Sequence, residues 1–171
     1  MVIILGDSEV KSKKLPVGKV SDDILRRVVF RHLGVPSERL VVPPSVGVDA
    51  AVVNISSCKY IVVSTDPITG AVEDIGWLSV HINANDVACH GAVPKWFFVT
   101  ILLPEWADDS LLEKIMKQMD AAAREIGVTI AGGHTEVTPG LDRPIVIGCM
   151  IGEVVDDNYV STTNAEPGDM I

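Results

Sequence analysis

The stretch "DIGWLSVHINANDVACHGAVPKWFFVTILLP", residues 74–104, decides the fold class. Residues 74–91 predict a buried helix, and "KWFFVTILLP" predicts a strand with apolar side chains on both faces. Three polar side chains, Asn83, Asn85 and Asp86, interrupt the apolar helix, and Asn83 and Asp86 lie three apart on one side of it. Burying an amide or a carboxylate without partners is costly. This part of the helix therefore faces a polar site, or it is more exposed than its composition indicates.

The segments around this stretch predict an α+β domain. The predicted order is helix (21–34), two strands (48–55 and 59–69), helix (74–91), strand (95–104), helix (109–127) and two strands (128–137 and 143–154). We expect the first two strands to form a hairpin. The helices should pack on one face of a mixed or antiparallel sheet of four or more strands.

The best-defined helix is "DSLLEKIMKQMDAAAREIG", residues 109–127. Ser110 and Glu113 match a capping box, and Gly127 is a typical helix stop. For the whole chain, we expect an irregular arm over residues 1–20 and a domain over 21–160. We expect residues 161–171 to be a linker that starts a further domain, because a strand-like "MI" follows the turn "EPGD".

Composition and charge exclude several classes of protein. The 171 residues are 47% hydrophobic with a net charge of −9, so the chain should fold and should repel nucleic acid. Binding ATP would require Mg²⁺ to offset this charge. We expect a cytoplasmic protein, because the three cysteines form no C-x-x-C pair, the N-terminus does not resemble a signal peptide, and no apolar run reaches the roughly 20 residues of a membrane span.

Three carboxylates, Asp49, Asp66 and Asp86, lie in three different predicted elements. Oxygen ligands of this kind suit Mg²⁺ bound together with substrate phosphates. Each also has a simpler interpretation: Asp49 as the solvent-facing member of a strand, Asp66 as a turn residue before Pro67, and Asp86 as part of a solvated helix face.

A further polar cluster is "GGHTEV", residues 132–137. Its paired glycines would let a ligand approach the main chain, or they would form a strand bulge. The histidines and cysteines match no zinc spacing, and the chain contains no G-x-S-x-G, G-x-G-x-x-G or P-loop motif. Common hydrolase and nucleotide fingerprints are therefore absent.

Five motifs occur in an order that resembles the N-terminal domain of the AIR synthase (PurM) superfamily, with most similarity to its hydrogenase maturation factors of the HypE type. The motifs are "LPVGKVSDDIL" (15–25), "GVDAAVV" (47–53), "STDPITG" with "DIGWLSVHINANDVACHGAVPKW" (64–70 and 74–96), "GGHTEVTPG" (132–140) and "AEPGDMI" (165–171). Together they extend over most of the chain.

The resemblance implies an ATP-dependent, Mg²⁺-dependent enzyme that transfers a phosphoryl group to activate an acceptor, either a small molecule or a maturation protein. It implies a homodimer formed by the sheets of the N-terminal domains, and a C-terminal domain that completes the active site. The residues it implicates are Asp49, Asp66 and Asp86 for the metal; Lys19, Asn83, Asn85, Gly132, Gly133 and Thr135 for the nucleotide; and His134 and Glu136 for catalysis.

Two positions depart from the family pattern. Val48 replaces the first Asp of an Asp-Asp pair, and His134 replaces an acidic residue. Two hypotheses therefore remain open: a HypE-like ATP-dependent enzyme, and a dimerisation or regulatory module that kept the fold without the chemistry. Thiamine-monophosphate kinase and AIR synthase are the alternatives within the enzyme class.

Overall fold

The computed structural model describes residues 14–42, 44, 46, 52–53, 61–155 and 166–168, which form seven strands and three α-helices. The strands are β1 (Gly18–Lys19), β2 (Leu40–Val42), β3 (Val52–Val53), β4 (Ile61–Ile68), β5 (Ala92–Leu103), β6 (Thr129–Val137) and β7 (Ile145–Val154). The helices are α1 (Asp22–Arg27), α2 (Ile75–Cys89) and α3 (Asp109–Ile126), and a 3₁₀ turn, Val29–Arg31, follows α1. Among these described residues, no helix has the length and apolarity to cross a membrane.

Five of the strands form one mixed sheet in the order β1-β6-β5-β7-β4. Strands β5 and β6 are parallel, and every other neighbouring pair in this sheet is antiparallel. The predicted α+β class with a mixed sheet is therefore confirmed. The predicted hairpin between the first two strands is wrong, because β3 pairs with the unpredicted β2 in a separate two-stranded sheet.

The helices cover only one face of the sheet. Helix α2 packs on β4, β5 and β7, and α3 packs on α2 and β6. The largest fully buried side chains of this core are Ile75, Val80, Val87, Phe97, Ile101, Leu103, Leu112, Ile115, Met116, Met119 and Met150. Leu112, Met116 and Met119 of α3 are among them, and their spacing of three and four residues explains why the 3.6-residue period identified this helix.

The ends of the helices differ in detail from the predictions. The N-cap of α3 is Asp108, whose side chain accepts a hydrogen bond from the N–H of Leu111, so the predicted capping box is wrong. Gly127 ends α3 with a φ of 72°, as predicted. Helix α1 stops at Arg27, well before residue 34, and the 3₁₀ turn Val29–Arg31 takes the place of its predicted second half.

The terminal predictions are only partly covered by the described residues. Within the expected irregular arm, Gly18–Lys19 form the two-residue strand β1, which pairs with β6. Residues 1–13 lie outside the described part of the chain, as does the predicted linker apart from residues 166–168.

Candidate functional site

Strand β4 turns two polar side chains toward helix α2. Ser64 pairs with Met150 and Asp66 pairs with Gly148 on β7, and both β7 residues are buried under the helical layer. Residues directly opposite each other in antiparallel strands share a face. The side chains of Ser64 and Asp66 therefore lie between β4 and α2, where both are half-buried.

Helix α2 meets this strand with Asn83 and Asp86. The side chain of Asn83 is completely buried. Its Oδ1 accepts from the N–H of Asp66 at 2.8 Å, and its Nδ2 donates to the carbonyl of Asp66 at 3.3 Å and to that of Ser79 at 2.8 Å. The amide is thus engaged with main-chain groups of the protein. Asn83 therefore holds the main chain of Asp66 in place. A contact of Asn83 with a nucleotide stays a prediction.

The carboxyl groups of Asp66 and Asp86 meet at this crossing. The hydrogen bond between them raises the pKa of Asp66, with desolvation and the charge of Asp86 adding to the effect. The hydroxyl of Ser64 donates to Oδ2 of Asp86 at 2.8 Å. Sequence reasoning named both aspartates but not Ser64, although strand alternation places residues 64 and 66 on one face.

The raised pKa of Asp66 has a consequence for stability. Between the ordinary aspartate pKa and the raised value, the folded chain binds more protons than the unfolded chain. Stability from this pair is therefore present at lower pH and is lost as the pH rises through that window. At neutral pH two adjacent carboxylates repel each other, and a bound cation would relieve that repulsion.

The donor set fits a magnesium ion that shares its ligands with a phosphate. Mg²⁺ is commonly bound by one or two carboxylates, with waters and substrate phosphates filling the remaining positions. Asp66 and Asp86 provide two half-exposed carboxylates. Within the described part of the chain no group of three or more His, Cys, Asp or Glu side chains could hold a metal. Asp49, the predicted third ligand, lies outside the described residues.

His134 and Glu136 lie on the other face of the sheet. They pair with Thr100 and Leu102 of β5, which are half-buried on the face that the helices leave uncovered. His134 Nε2 lies 3.0 Å from Glu136 Oε2, and the hydroxyl of Thr138 donates to Glu136 Oε1 at 2.8 Å. Within one protomer, the predicted catalytic pair is therefore separated from Asp66 and Asp86 by the sheet itself.

The remaining predicted nucleotide residues do not gather around the carboxylates. Gly133 and Thr135 pair with Val99 and Ile101, whose side chains are buried under the helices, and β6 is three strand spacings from β4, about 14 Å. Gly132 lies on the uncovered face beside the ring of Phe98.

The last two predicted residues lie at the edge and on the outside of the fold. Lys19 pairs with Glu136 at the edge of the sheet, and its side chain lies outside the described part of the chain. Asn85 is exposed on α2. Of the predicted site residues that the structure describes, Asp66, Asp86 and the supporting Asn83 converge where β4 crosses α2, and His134 and Glu136 meet on the other face.

The chain is similar to known proteins over the part that contains this site. The model of the N-terminal domain of AIR synthase related proteins matches residues 47–154. A hydrogenase expression/formation protein of Methanocaldococcus jannaschii is 31% identical over 163 residues, which cover 90% of this chain and 47% of that protein. Carbamoyl dehydratase HypE of Cupriavidus necator is 37% identical over 100 residues, which cover 57% of this chain and 28% of that protein.

The fold has solved counterparts. The crystal structure of hydrogenase maturation protein HypE in complex with ATP superposes with a TM-score of 0.72 at 32% identity, covering 85% of this chain and 43% of that one. The chain thus spans about half the length of the Methanocaldococcus jannaschii protein and less than a third of the length of HypE from Cupriavidus necator. Because the family model spans residues 47–154, which include β4, α2, β5, α3, β6 and β7, the chain belongs to the AIR synthase related proteins, of which it contains the N-terminal domain.

Proposed function

We propose that this chain is the nucleotide-binding and dimerisation domain of a HypE-like, ATP-dependent enzyme that activates an acceptor by phosphoryl transfer. The observation that carries the proposal is the pair of half-exposed carboxylates, Asp66 and Asp86, placed side by side where β4 crosses α2. Their role would be to hold Mg²⁺, which bridges to the phosphates of ATP. The likeness to a HypE structure in complex with ATP supports the nucleotide.

The nucleotide part of the proposal can be tested by thermal unfolding. A ligand that binds only the folded state at about 100 times its Kd adds roughly 2.7 kcal/mol to the unfolding free energy. We expect ATP with Mg²⁺ to raise the Tm, and ATP with a chelator to have little effect. If ATP gives no shift with or without Mg²⁺, the chain does not bind this nucleotide in the folded state.

The uncovered face of the sheet is where we place the dimer contact. It carries exposed Ile61 and Val63, and half-buried Phe98, Leu102, Ile145, Ile147 and Ile151. An apolar surface that extends over three adjacent strands is unusual for a monomer and is typical of an interface. Two copies related by a two-fold axis would cover it with the same surface of the partner.

We therefore expect a homodimer at micromolar concentration. Val63→Glu and Ile147→Glu should each shift the chain toward monomer by placing a charge in this contact. Val72→Glu is a matched control, because Val72 is 48% exposed on the segment before α2 and lies outside the sheet. Analytical ultracentrifugation distinguishes the cases, and a monomeric wild-type chain would contradict the assignment.

A dimerisation module without chemistry is the second candidate. One observation favours it. His134 occupies the position where the family pattern has an acidic residue, and its side chain is paired with Glu136 on the face away from Asp66 and Asp86. In the two-domain enzyme that the relatives suggest, catalysis would also require residues beyond these 171.

We expect this chain alone to bind ATP with no hydrolysis above an Asp86→Ala control, measured by phosphate release. Hydrolysis that depends on Asp86 would contradict the requirement for a second domain.

A further inference from the structure

Each residue of the Asp66–Asp86 pair is held by a residue of the opposite element, Asp66 through its main chain and Asp86 through its carboxylate. Asn83 of α2 binds both the N–H and the carbonyl of Asp66 on β4. Ser64 of β4 donates its hydroxyl to the carboxylate of Asp86 on α2. The strand therefore fixes the helix residue and the helix fixes the strand residue, with spacings of two residues on the strand and three on the helix.

The fold makes room for this reciprocal arrangement. Asn83 is fully buried, and its amide is further held by the carbonyl of Ser79 on its own helix. A Cβ at Gly148 would lie 2.3 Å from Nδ2 of Asn83 and 2.6 Å from the ring of Phe97, so any side chain at 148 would displace the amide. A glycine on β7 thus leaves the space that the clamp on Asp66 occupies.

We propose that Asn83 and Ser64 are positioning residues for a divalent cation, which orient Asp66 and Asp86 without touching the ion themselves. This inference rests on the proposed function, since it assumes that the two carboxylates bind metal. For Ser64 the physical basis is that a hydrogen bond to a ligating group fixes its direction before the ion arrives. Asn83 acts one step further back, because it fixes the main chain from which the carboxylate of Asp66 extends. If the protein did not orient the carboxylates, the ion would have to order them on binding, and this cost would lower its affinity.

The expected effect is measurable with Mn²⁺ alone as the probe. Loss of an outer hydrogen-bond partner of a metal ligand lowers affinity by about 10- to 100-fold in known sites. We expect Ser64→Ala to weaken Mn²⁺ binding by roughly tenfold, and Asn83→Ala by at least as much. Ser64 is half-buried and its replacement by alanine removes one oxygen, so this variant should fold even if Asn83→Ala does not.

A structural control separates positioning from general loosening. Gln118 of α3 accepts from the N–H of Gly76 at 3.1 Å and donates to the carbonyl of Glu73 at 2.6 Å, so it anchors the start of α2 away from the carboxylates. Gln118→Ala should lower the Tm while leaving the Mn²⁺ affinity of the folded chain unchanged. Ser64→Ala should do the reverse, with a small change in Tm and a large change in affinity.

The measurement is the free Mn²⁺ signal in electron paramagnetic resonance, recorded for the wild type, Ser64→Ala, Asn83→Ala and Gln118→Ala, with a thermal unfolding curve for each. Weaker binding by Ser64→Ala, and by Asn83→Ala if that variant folds, with unchanged binding by Gln118→Ala, supports the inference. Equal affinity of Ser64→Ala and wild type overturns it while leaving the metal site intact. A wild-type chain that binds no Mn²⁺ overturns the proposed metal site itself, and the inference with it.

Discussion

Replacing Gly133 by alanine is expected to lower the unfolding free energy by about 3 kcal/mol, because the added methyl group has no room and the main chain is unsuited to it. A Cβ at this position would lie 1.8 Å from the carbonyl oxygen of Val99, an atom of the neighbouring strand that cannot move without breaking the sheet. The φ of Gly133 is 153°, a conformation that L-amino acids rarely adopt. Both effects act in the folded state without any ligand.

The adjacent glycine is the matched control. A Cβ at Gly132 would meet only the ring of Phe98, at 3.6 Å, which is an ordinary contact. Gly132→Ala should therefore change the unfolding free energy by less than about 1 kcal/mol. Urea denaturation of the two variants tests the difference. Similar stabilities for the two variants would show that the close approach of β6 to β5 can relax, and that the glycine pair serves a purpose other than packing.

The position of the glycine pair favours the strand-bulge interpretation of "GGHTEV". The register between β5 and β6 shifts between Phe97 and Phe98, so that Ile130 and Gly132 are the successive partners and Ala131 is the extra residue. The two glycines follow this bulge directly. A direct role of Gly132 or Gly133 in binding nucleotide stays a prediction.

The second large effect is expected at Asp86. Asp86→Asn keeps the shape of the side chain and an oxygen that can accept from Ser64, so the fold should be retained. It removes the charge that would attract Mg²⁺. In the proposed two-domain protein, ATP affinity in the presence of Mg²⁺ should fall by about tenfold or more, which corresponds to roughly 1.4 kcal/mol.

Calorimetric titration with ATP, with and without Mg²⁺, measures this effect. Asp22→Asn is the control, because it removes the same charge from an exposed position at the start of α1. We expect the control to titrate like the wild type and Asp86→Asn to bind weakly under both conditions. Equal affinities for all three chains, unaffected by Mg²⁺, would make Asp66 and Asp86 ordinary polar residues of a strand and a helix.

The pattern of apolar residues was sufficient to predict most of the helical layer and the long strands. The periodicity of α3, the continuous apolarity of β5 and the order of motifs are local or linear properties, so the α+β class and the family were accessible from the sequence. Asn83 and Asp86 were also recognisable, because polar side chains three apart in an apolar helix indicate a specific partner. The sequence pattern did not show that this partner is the strand β4.

Strand pairing was decided by contacts that are distant in sequence. The predicted hairpin partner of β4 was its neighbour in the chain, but β4 pairs with β7, some eighty residues away, through the register of Asp66 with Gly148. That register turns Asp66 toward α2 and leaves Pro67 on the uncovered face. A shift by one residue would exchange the two faces, so the carboxylate pair depends on the sheet rather than on β4 alone.

The sequence alone therefore determined which residues are chemically capable of forming the site, and the tertiary structure decided which of them meet. Neighbouring residues of "GGHTEV" are adjacent in the chain, but strand alternation sends His134 and Glu136 to the face opposite Gly133 and Thr135. Conversely, Ser64 and Gly148 attracted no attention as sequence features. They became part of the site because the packing of α2 on β4 and β7 brings Asp86 within 2.8 Å of the first and Asn83 into the space left by the second.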